Sequence, residues 1–188
     1  MSFLAFFEWL ADTPWSVDLH ESQYAYSIIE SVHVWAMSVF FGLAVMFDLR
    51  LLDWTFRKVP VSEFNRRVLP WTIAAFVIMV ISGTLLFYAI PLRSYQNIFF
   101  RTKMLLLLFA GLNVWFFHSR VYPRVVDWDI VAAPPRAAKI AGTFSLALWV
   151  AIVICGRMIA YNWFDCDRQP QSALINFLTS CDATGTGP

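Results

Sequence analysis

Residues 27–47 read SIIESVHVWAMSVFFGLAVMF. Only Glu30 and His33 in this run are strongly polar. A helix over it, rising about 1.5 Å per residue, is roughly 30 Å long, the thickness of a bilayer's hydrocarbon layer. Three further stretches match it in length: residues 71–90, 99–118 and 140–161, the last interrupted only by Arg157. Composition points the same way. Of 188 residues, 59% are hydrophobic and 14% charged, where soluble domains average about 45–50% and 25%. The mean hydropathy is +0.59, which excludes an ordinary soluble globule. The 14 basic and 13 acidic residues leave a net charge of +1. There is therefore no basic surplus for the phosphates of a nucleic acid. The expected fold is all-α, a single membrane domain over residues 1–188 built as an integral four-helix up-down bundle.

The punctuation fits four spans. Pro60, Pro70, Pro91, Pro123, Pro134 and Pro135 are expected in loops or at helix starts, outside the spans. Within a span, proline removes a backbone hydrogen bond that lipid cannot replace. Trp71, Tyr88, Tyr95, Tyr122, Trp128, Tyr161 and Trp163 fall near the expected span ends, as in an aromatic belt. Residues 1–47 contain no Lys or Arg. The loop after the first span holds Arg50, Arg57, Lys58, Arg66 and Arg67, and the loop after the third holds Arg120, Arg124, Arg136 and Lys139. The positive-inside rule therefore puts these two loops in the cytoplasm and both termini on the opposite, periplasmic side.

Phe3, Phe6, Phe7 and Leu10 recur at helical spacing with Glu8 among them and no basic start. That pattern reads as an amphipathic segment on the outer surface rather than a signal peptide. It should end at Thr13-Pro14, within an outer N-terminal segment of residues 1–26. Ala173 to Leu178 is expected on the same surface in the outer tail, residues 162–188, with Ala183 to Pro188 as a disordered end. Cys155 reads as a small apolar residue of the fourth span. Cys166 and Cys181 fall in the tail and are expected to form a disulfide if that side is oxidising. Gly83 with Ser82, Gly111 with Ala110 and Gly142 with Ser145 supply small residues for close helix approach.

An ionisable group inside a span costs roughly 2.5–3.5 kcal/mol on insertion scales and so needs a reason. Glu30 and His33, three apart, share one helix face. Arg157 lies about as deep as Glu30, counting from Tyr161. The antiparallel first and fourth helices make a Glu30–Arg157 ion pair feasible, with Tyr161 one turn from Arg157. Asn113 should lie somewhat below His33, and Lys103 nearer the boundary. Together these residues form a candidate pocket in the outer half of the bundle: Glu30, His33, Asn113, Arg157 and Tyr161 as cofactor-binding residues. His20 either folds over it or stays solvated. A secondary polar site is expected where His118 meets Asp48. In the competing reading, Glu30 and Arg157 only clamp the helices.

Glu-x-x-His on a helix is half of a di-iron carboxylate signature, and no second such pair exists here. Haem b usually takes two axial ligands at equal depth. His33 and His118 sit roughly 15–20 Å apart along the bundle, which leaves His33 with Met158, Met37 or His20. Copper or another transition metal could use His33 and Glu30 with His20 or Met37. A quinone needs only a histidine or tyrosine donor and apolar walls. All three ligand types stay open. No nucleophile–base pair is recognisable, so no catalytic residue is assigned.

The runs Glu30-Ser31-Val32-His33, Asp48-Leu49-Arg50-Leu51-Leu52, Pro70-Trp71-Thr72, Ser82-Gly83-Thr84-Leu85-Leu86-Phe87 and Gly156-Arg157-Met158-Ile159-Ala160-Tyr161, with Asn97, Lys103, Asn113 and His118, resemble a bacterial four-helix membrane family of unknown function. The resemblance covers roughly residues 25–161. That family is distantly similar to copper-resistance protein D-type membrane proteins. The likeness implies an inner-membrane protein facing the periplasm and handling copper or electrons.

The sequence thus points to a small membrane subunit or carrier holding a haem, copper or quinone-type ligand. Little chain lies outside the bilayer, so membrane or periplasmic protein partners are expected. The alternative is an assembly or anchoring subunit whose buried polar residues serve only packing.

Overall fold

Four apolar runs become four long helices in the computed structural model, which describes residues 3–129, 133–161, 163–164, 166 and 170–181. In chain order the helices are α1 (Phe3–Ala11), α2 (Pro14–Glu21), α3 (Ala25–Leu51), α4 (Val61–Ala89), α5 (Pro91–Gln96), α6 (Ile98–Phe116), α7 (Val125–Trp128), α8 (Arg136–Ile159) and α9 (Ala173–Thr179). A π-helical turn, Phe117–Val121, and a 3-10 turn, Tyr122–Arg124, carry α6 on to α7. There is no strand among the described residues. Ala25–Leu51, Val61–Ala89, Ile98–Trp128 and Arg136–Ile159 are each long and apolar enough to cross a membrane. The chain is an all-α, multi-pass membrane protein. Its exposed side chains agree: Trp35, Trp71 and Trp115 are each about two-thirds exposed or more, an arrangement suited to lipid and costly in water.

Two boundaries differ from expectation by the most residues. α4 begins at Val61 and contains Pro70, which the sequence placed outside any helix interior. Pro70 is exposed, so the backbone bond it forgoes lies on an open face. The preceding turns are held without it, by an Arg67–Glu63 ion pair and by Asn65, whose amide donates to the Tyr122 hydroxyl at 3.1 Å. The third span runs past His118 to Trp128, because the π-helical turn accommodates the extra residue instead of ending the helix. At the N-terminus, the break expected at Thr13-Pro14 is present, and Pro14 opens α2 at a position where proline is tolerated. α9 starts on Ser172, whose hydroxyl accepts from the Ile175 N–H, and ends at Ser180 with φ 59°. Residues 183–188, expected as a disordered end, lie outside the described residues.

The chain divides into two compact units. One comprises Met1–His33, Ile81–Leu105 and Val153–Pro188; the other comprises Val34–Val80 and Leu106–Ile152. In the second unit the segments of α3, α4, α6 and α8 enclose two apolar clusters, one around Leu51, Phe117 and Ala138 and one around Phe40, Leu148 and Trp149. α8 supplies the small residues Ala138, Ala141, Gly142 and Ser145 on its buried face. A Cβ at Gly142 would stand 3.2 Å from the Asp48 carbonyl oxygen and 3.3 Å from Leu51 Cβ. The absence of a side chain there is what lets α8 meet α3.

The first unit fastens the terminal segments by polar contacts. Thr13 and Tyr88 share a hydroxyl–hydroxyl bond of 2.7 Å, and Ser16 donates to the Tyr88 carbonyl at 2.8 Å. Phe7 stacks on Tyr95 at 4.4 Å. Arg101 donates to the carbonyls of Tyr95 and Leu178 and lies 4.2 Å over the Tyr95 ring. Cys166 and Cys181 are joined in a disulfide, with Cα atoms 5.3 Å apart.

Candidate functional site

α3 brings Tyr26, Glu30 and His33 onto one stripe, by spacings of four and three residues. His33 is half-buried at the foot of that stripe. Its Nδ1 lies 3.0 Å from the Ser82 hydroxyl. A Cβ at Gly83 would stand 3.0 Å from His33 Cε1 and 3.4 Å from Nδ1. The imidazole therefore lies against the bare backbone of α4. The neighbouring serine fixes its ring orientation and the glycine leaves room for it. Sequence reasoning read Ser82 and Gly83 as packing residues. The available signal was their position in α4, about as far from its end at Ala89 as His33 is from the start of α3.

Glu30 is exposed one turn above His33. Tyr26, one further turn up, lies within electrostatic reach of both Glu30 and Arg93. Beside Tyr26, a cleft of about 310 Å³ opens between the end of α2, the start of α3 and the α4–α5 junction, lined by His20, Ser22, Tyr26, Ser27, Ile90 and Arg93. His20 thus faces a polar cleft at the end of the span. The sequence signalled neither Tyr26 nor Arg93 as its companions, because they come from separate helices.

Arg157 is exposed, and its guanidinium lies 5.0 Å over the Tyr161 ring. Among the described residues no ion pair joins it to Glu30, so the mutual neutralisation expected from the sequence is not made within the chain. Tyr161, in the turn just past the end of α8, takes the guanidinium face instead. Lys103 is half-buried in α6, its Nζ 3.8 Å from where a Cβ of Gly156 would stand. No acidic residue pairs with it among those described.

Asn113 lies in the other unit. Its amide donates to the Ala141 carbonyl at 3.0 Å, linking α6 to α8. The expected meeting of His118 and Asp48 is absent. His118 is exposed on the π-helical turn, with Nδ1 3.1 Å from the Val114 carbonyl oxygen and its ring beside Phe117 and Tyr122. Asp48 is buried at 5% exposure, hydrogen-bonded by Ser145, while its Oδ2 has no partner. The π-helical turn rotates His118 outward, whereas Asp48 faces inward against α8. Among the described residues no three of His, Cys, Asp or Glu gather as metal ligands. Glu30, His33 and His20 therefore do not form the set weighed for a metal. Glu30 and His33 follow one helix stripe, and His20 sits in the cleft beyond its upper end.

Chemically, the first unit offers a positioned imidazole, an amine with no acidic partner among the described residues and a polar cleft. These are hydrogen-bonding groups suited to oxygen acceptors. No curated protein and no solved structure matches the chain. A family model described as a family of unknown function, DUF6644, matches residues 6–162, and the chain belongs to that family.

Proposed function

We propose that this protein is a small integral membrane subunit or carrier that holds a quinone-type amphipathic ligand through hydrogen bonds in the unit containing His33 and Lys103. Its setting is a bacterial inner membrane, with both termini periplasmic, and it works within a larger membrane complex. The observation that carries the reading is Lys103. An amine in a span, half-buried against Gly156 and without an acidic partner among the described residues, is costly in an apolar medium. A carbonyl oxygen of a bound ligand would offset that cost. His33, fixed by Ser82 and Gly83, supplies a second, preoriented hydrogen-bonding group. Arg157 and Tyr161 flank the site at the end of α8, and Glu30 places a carboxylate between His33 and the cleft. The distribution of Lys and Arg supports the orientation.

Two other ligands weighed from the sequence have weaker support. Copper, which the likeness to copper-resistance protein D-type proteins implies, needs a gathered donor set, and the described residues provide none. Haem b with His33 as one axial ligand needs a second at equal depth. His20 lies in the cleft beside the first residues of α3, and His118 belongs to the other unit.

The test is solvent extraction and absorption spectroscopy of the purified full chain. A benzoquinone or naphthoquinone lipid should be retained near one equivalent, and Lys103→Met and His33→Ala should each reduce retention about tenfold. Unchanged retention in Lys103→Met, a Soret band, or stoichiometric copper would each overturn the reading. A second reading, a purely structural assembly subunit, is favoured by one observation: the His33–Ser82 and Asn113–Ala141 bonds both link helices. Under it, no extractable ligand exists, and the same variants reduce recovery of the complex.

A further inference from the structure

Leu51, Val61, Val121, Val125 and Ala138 pack in one apolar cluster of the second unit. The last residue of α3, the first of α4, the end of the third span and the start of α8 therefore meet at one end of that unit. Two hydrogen bonds tie the start of α4 to the end of the third span. Asn65 donates to the Tyr122 hydroxyl at 3.1 Å, and the Ser62 N–H donates to Asp129 Oδ1 at 3.2 Å.

Acidic and basic side chains at this end are unequally engaged. Asp53 pairs with Arg50 and Arg57 at 3.8 and 3.9 Å, Glu63 pairs with Arg67, and Asp129 is taken by Ser62. Lys58, Arg66, Arg120, Arg124 and Arg136 are exposed and make no ion pair among the described residues. Among the described residues here, Asp127 is the exposed acid left to oppose them. The depth is that of lipid phosphates. Arg66 lies five residues outward of Trp71 along α4, and Arg120 five outward of Trp115 along the third span. Each step is roughly 7 Å. Trp71 and Trp115 are both strongly exposed, as indoles at a membrane boundary are. Trp54 and Phe56, exposed on the α3–α4 loop near Lys58, add apolar surface of the same interfacial kind.

We propose that this end of the second unit binds anionic phospholipids of the leaflet it faces, their phosphates on Arg66, Arg120 and Arg124, with Lys58 and Arg136 adding charge. Guanidinium donors match phosphate oxygens well. A zwitterionic headgroup would bring its own ammonium against these cations, so the surface selects for lipids with a net negative charge. The five cations come from four chain segments around the end of the unit, which suits a charged bilayer plane better than one acidic protein. The inference is independent of the ligand proposed for Lys103 and His33. In the orientation proposed above, the leaflet is the cytoplasmic one.

The experiment is native mass spectrometry of the full chain in detergent, titrated separately with phosphatidylglycerol, phosphatidylethanolamine and glycerophosphoglycerol. Phosphatidylglycerol should be retained about tenfold more tightly than phosphatidylethanolamine, a preference that shrinks as salt is raised. The combined variant Arg66→Gln, Arg120→Gln and Arg124→Gln should reduce the preference to about twofold or less, and lysine at the same three positions should keep most of it. Glu63→Gln, which frees Arg67 from its ion pair, should tighten phosphatidylglycerol alone by about twofold. Equal retention of the two lipids by the unaltered chain would overturn the proposal and leave an acidic protein as the partner of these cations. A preference unmoved in both the glutamine variant and Glu63→Gln would overturn it as well. So would displacement of the lipid by equimolar glycerophosphoglycerol, by showing that a soluble phosphodiester is the occupant.

Discussion

In the unit of Val34–Val80 and Leu106–Ile152, aromatic and aliphatic side chains do the joining: Trp149 meets Phe40 edge-on at 4.8 Å, and Phe47 meets Phe117 at 5.8 Å. In the unit of Met1–His33, Ile81–Leu105 and Val153–Pro188, many of the joints are polar or covalent: Thr13 and Ser16 to Tyr88, His33 to Ser82, Arg101 to Leu178, Cys166 to Cys181. Lipid solvates apolar side chains about as well as a protein interior does. Inward packing there gains from dispersion and close fit rather than from leaving water. Such packing sets how helices meet but presents nothing a ligand can recognise. Polar joints present donors and acceptors. The first of these units has some too, Asn65 to Tyr122 and Asn113 to Ala141, but the other holds the cleft and Lys103, which has no acidic partner among the described residues.

The largest expected effect tests the apolar side of that contrast. Trp149→Ala removes a buried indole from the cluster around Phe40 and Leu148. Truncations of this kind cost about 3–5 kcal/mol, so the unfolding midpoint in detergent should fall sharply. A loss below about 1 kcal/mol would mean that the cluster does not hold its unit together. Next, Cys166→Ser opens a crosslink with a sequence separation of 15, a constraint worth about 3 kcal/mol in the chain-entropy account. The loss should stay local. Chymotrypsin should cut at Phe177, which is 82% exposed, while the global midpoint hardly moves. A fall matching that of Trp149→Ala would erase the distinction between the units. Arg101→Gln removes charge-assisted bonds to two carbonyls and a contact over Tyr95. At about 1.5–3 kcal/mol for a bond to a charged group, it should release α9 as the cysteine variant does, measured by the same proteolysis.

The fold was legible because run length alone decides it. A stretch such as residues 27–47 has one low-energy form in lipid, a helix. The aromatic spacing of Phe3 to Leu10 and the apolar Ala173 to Leu178 likewise mark α1 and α9. Helix ends were less legible. Pro70 signals a stop in isolation, but α4 continues through it because its flanking turns have partners elsewhere, such as Tyr122. The candidate site was half legible. The Glu30–His33 spacing fixes a shared face, and the partner of each follows from helix rotation, which spacing along the chain does not encode. Thus Arg157 turns to Tyr161 rather than to Glu30, and Asn113 turns to Ala141. Ser82 and Gly83 were visible as small residues. Their role with His33 depends on the facing of α3 and α4.

Two glycines carry the contrast down to single atoms, and Gly83→Ala should have the smallest effect on stability. At Gly142 an added Cβ meets a backbone oxygen and a Cβ, at 3.2 and 3.3 Å. Neither can turn aside, so Gly142→Ala forces the helices apart at a cost of about 1–3 kcal/mol. At Gly83 the nearest atom belongs to the His33 ring, at 3.0 Å, and a ring can rotate. Alanine also favours the helix over glycine by about 1 kcal/mol, so the midpoint of Gly83→Ala should shift little. His33 itself should change. A ring pushed off Gly83 loses its bond to Ser82, and the 15N shifts of its imidazole should move toward those of Ser82→Ala. Unaltered imidazole shifts would show that the ring does not rest on Gly83. A midpoint loss as large as that of Gly142→Ala would show that α3 and α4, rather than the side chain between them, resist the added methyl. If the ring moves while stability holds, His33 is held in place by its two neighbours at little cost to the fold, as a preoriented binding group requires.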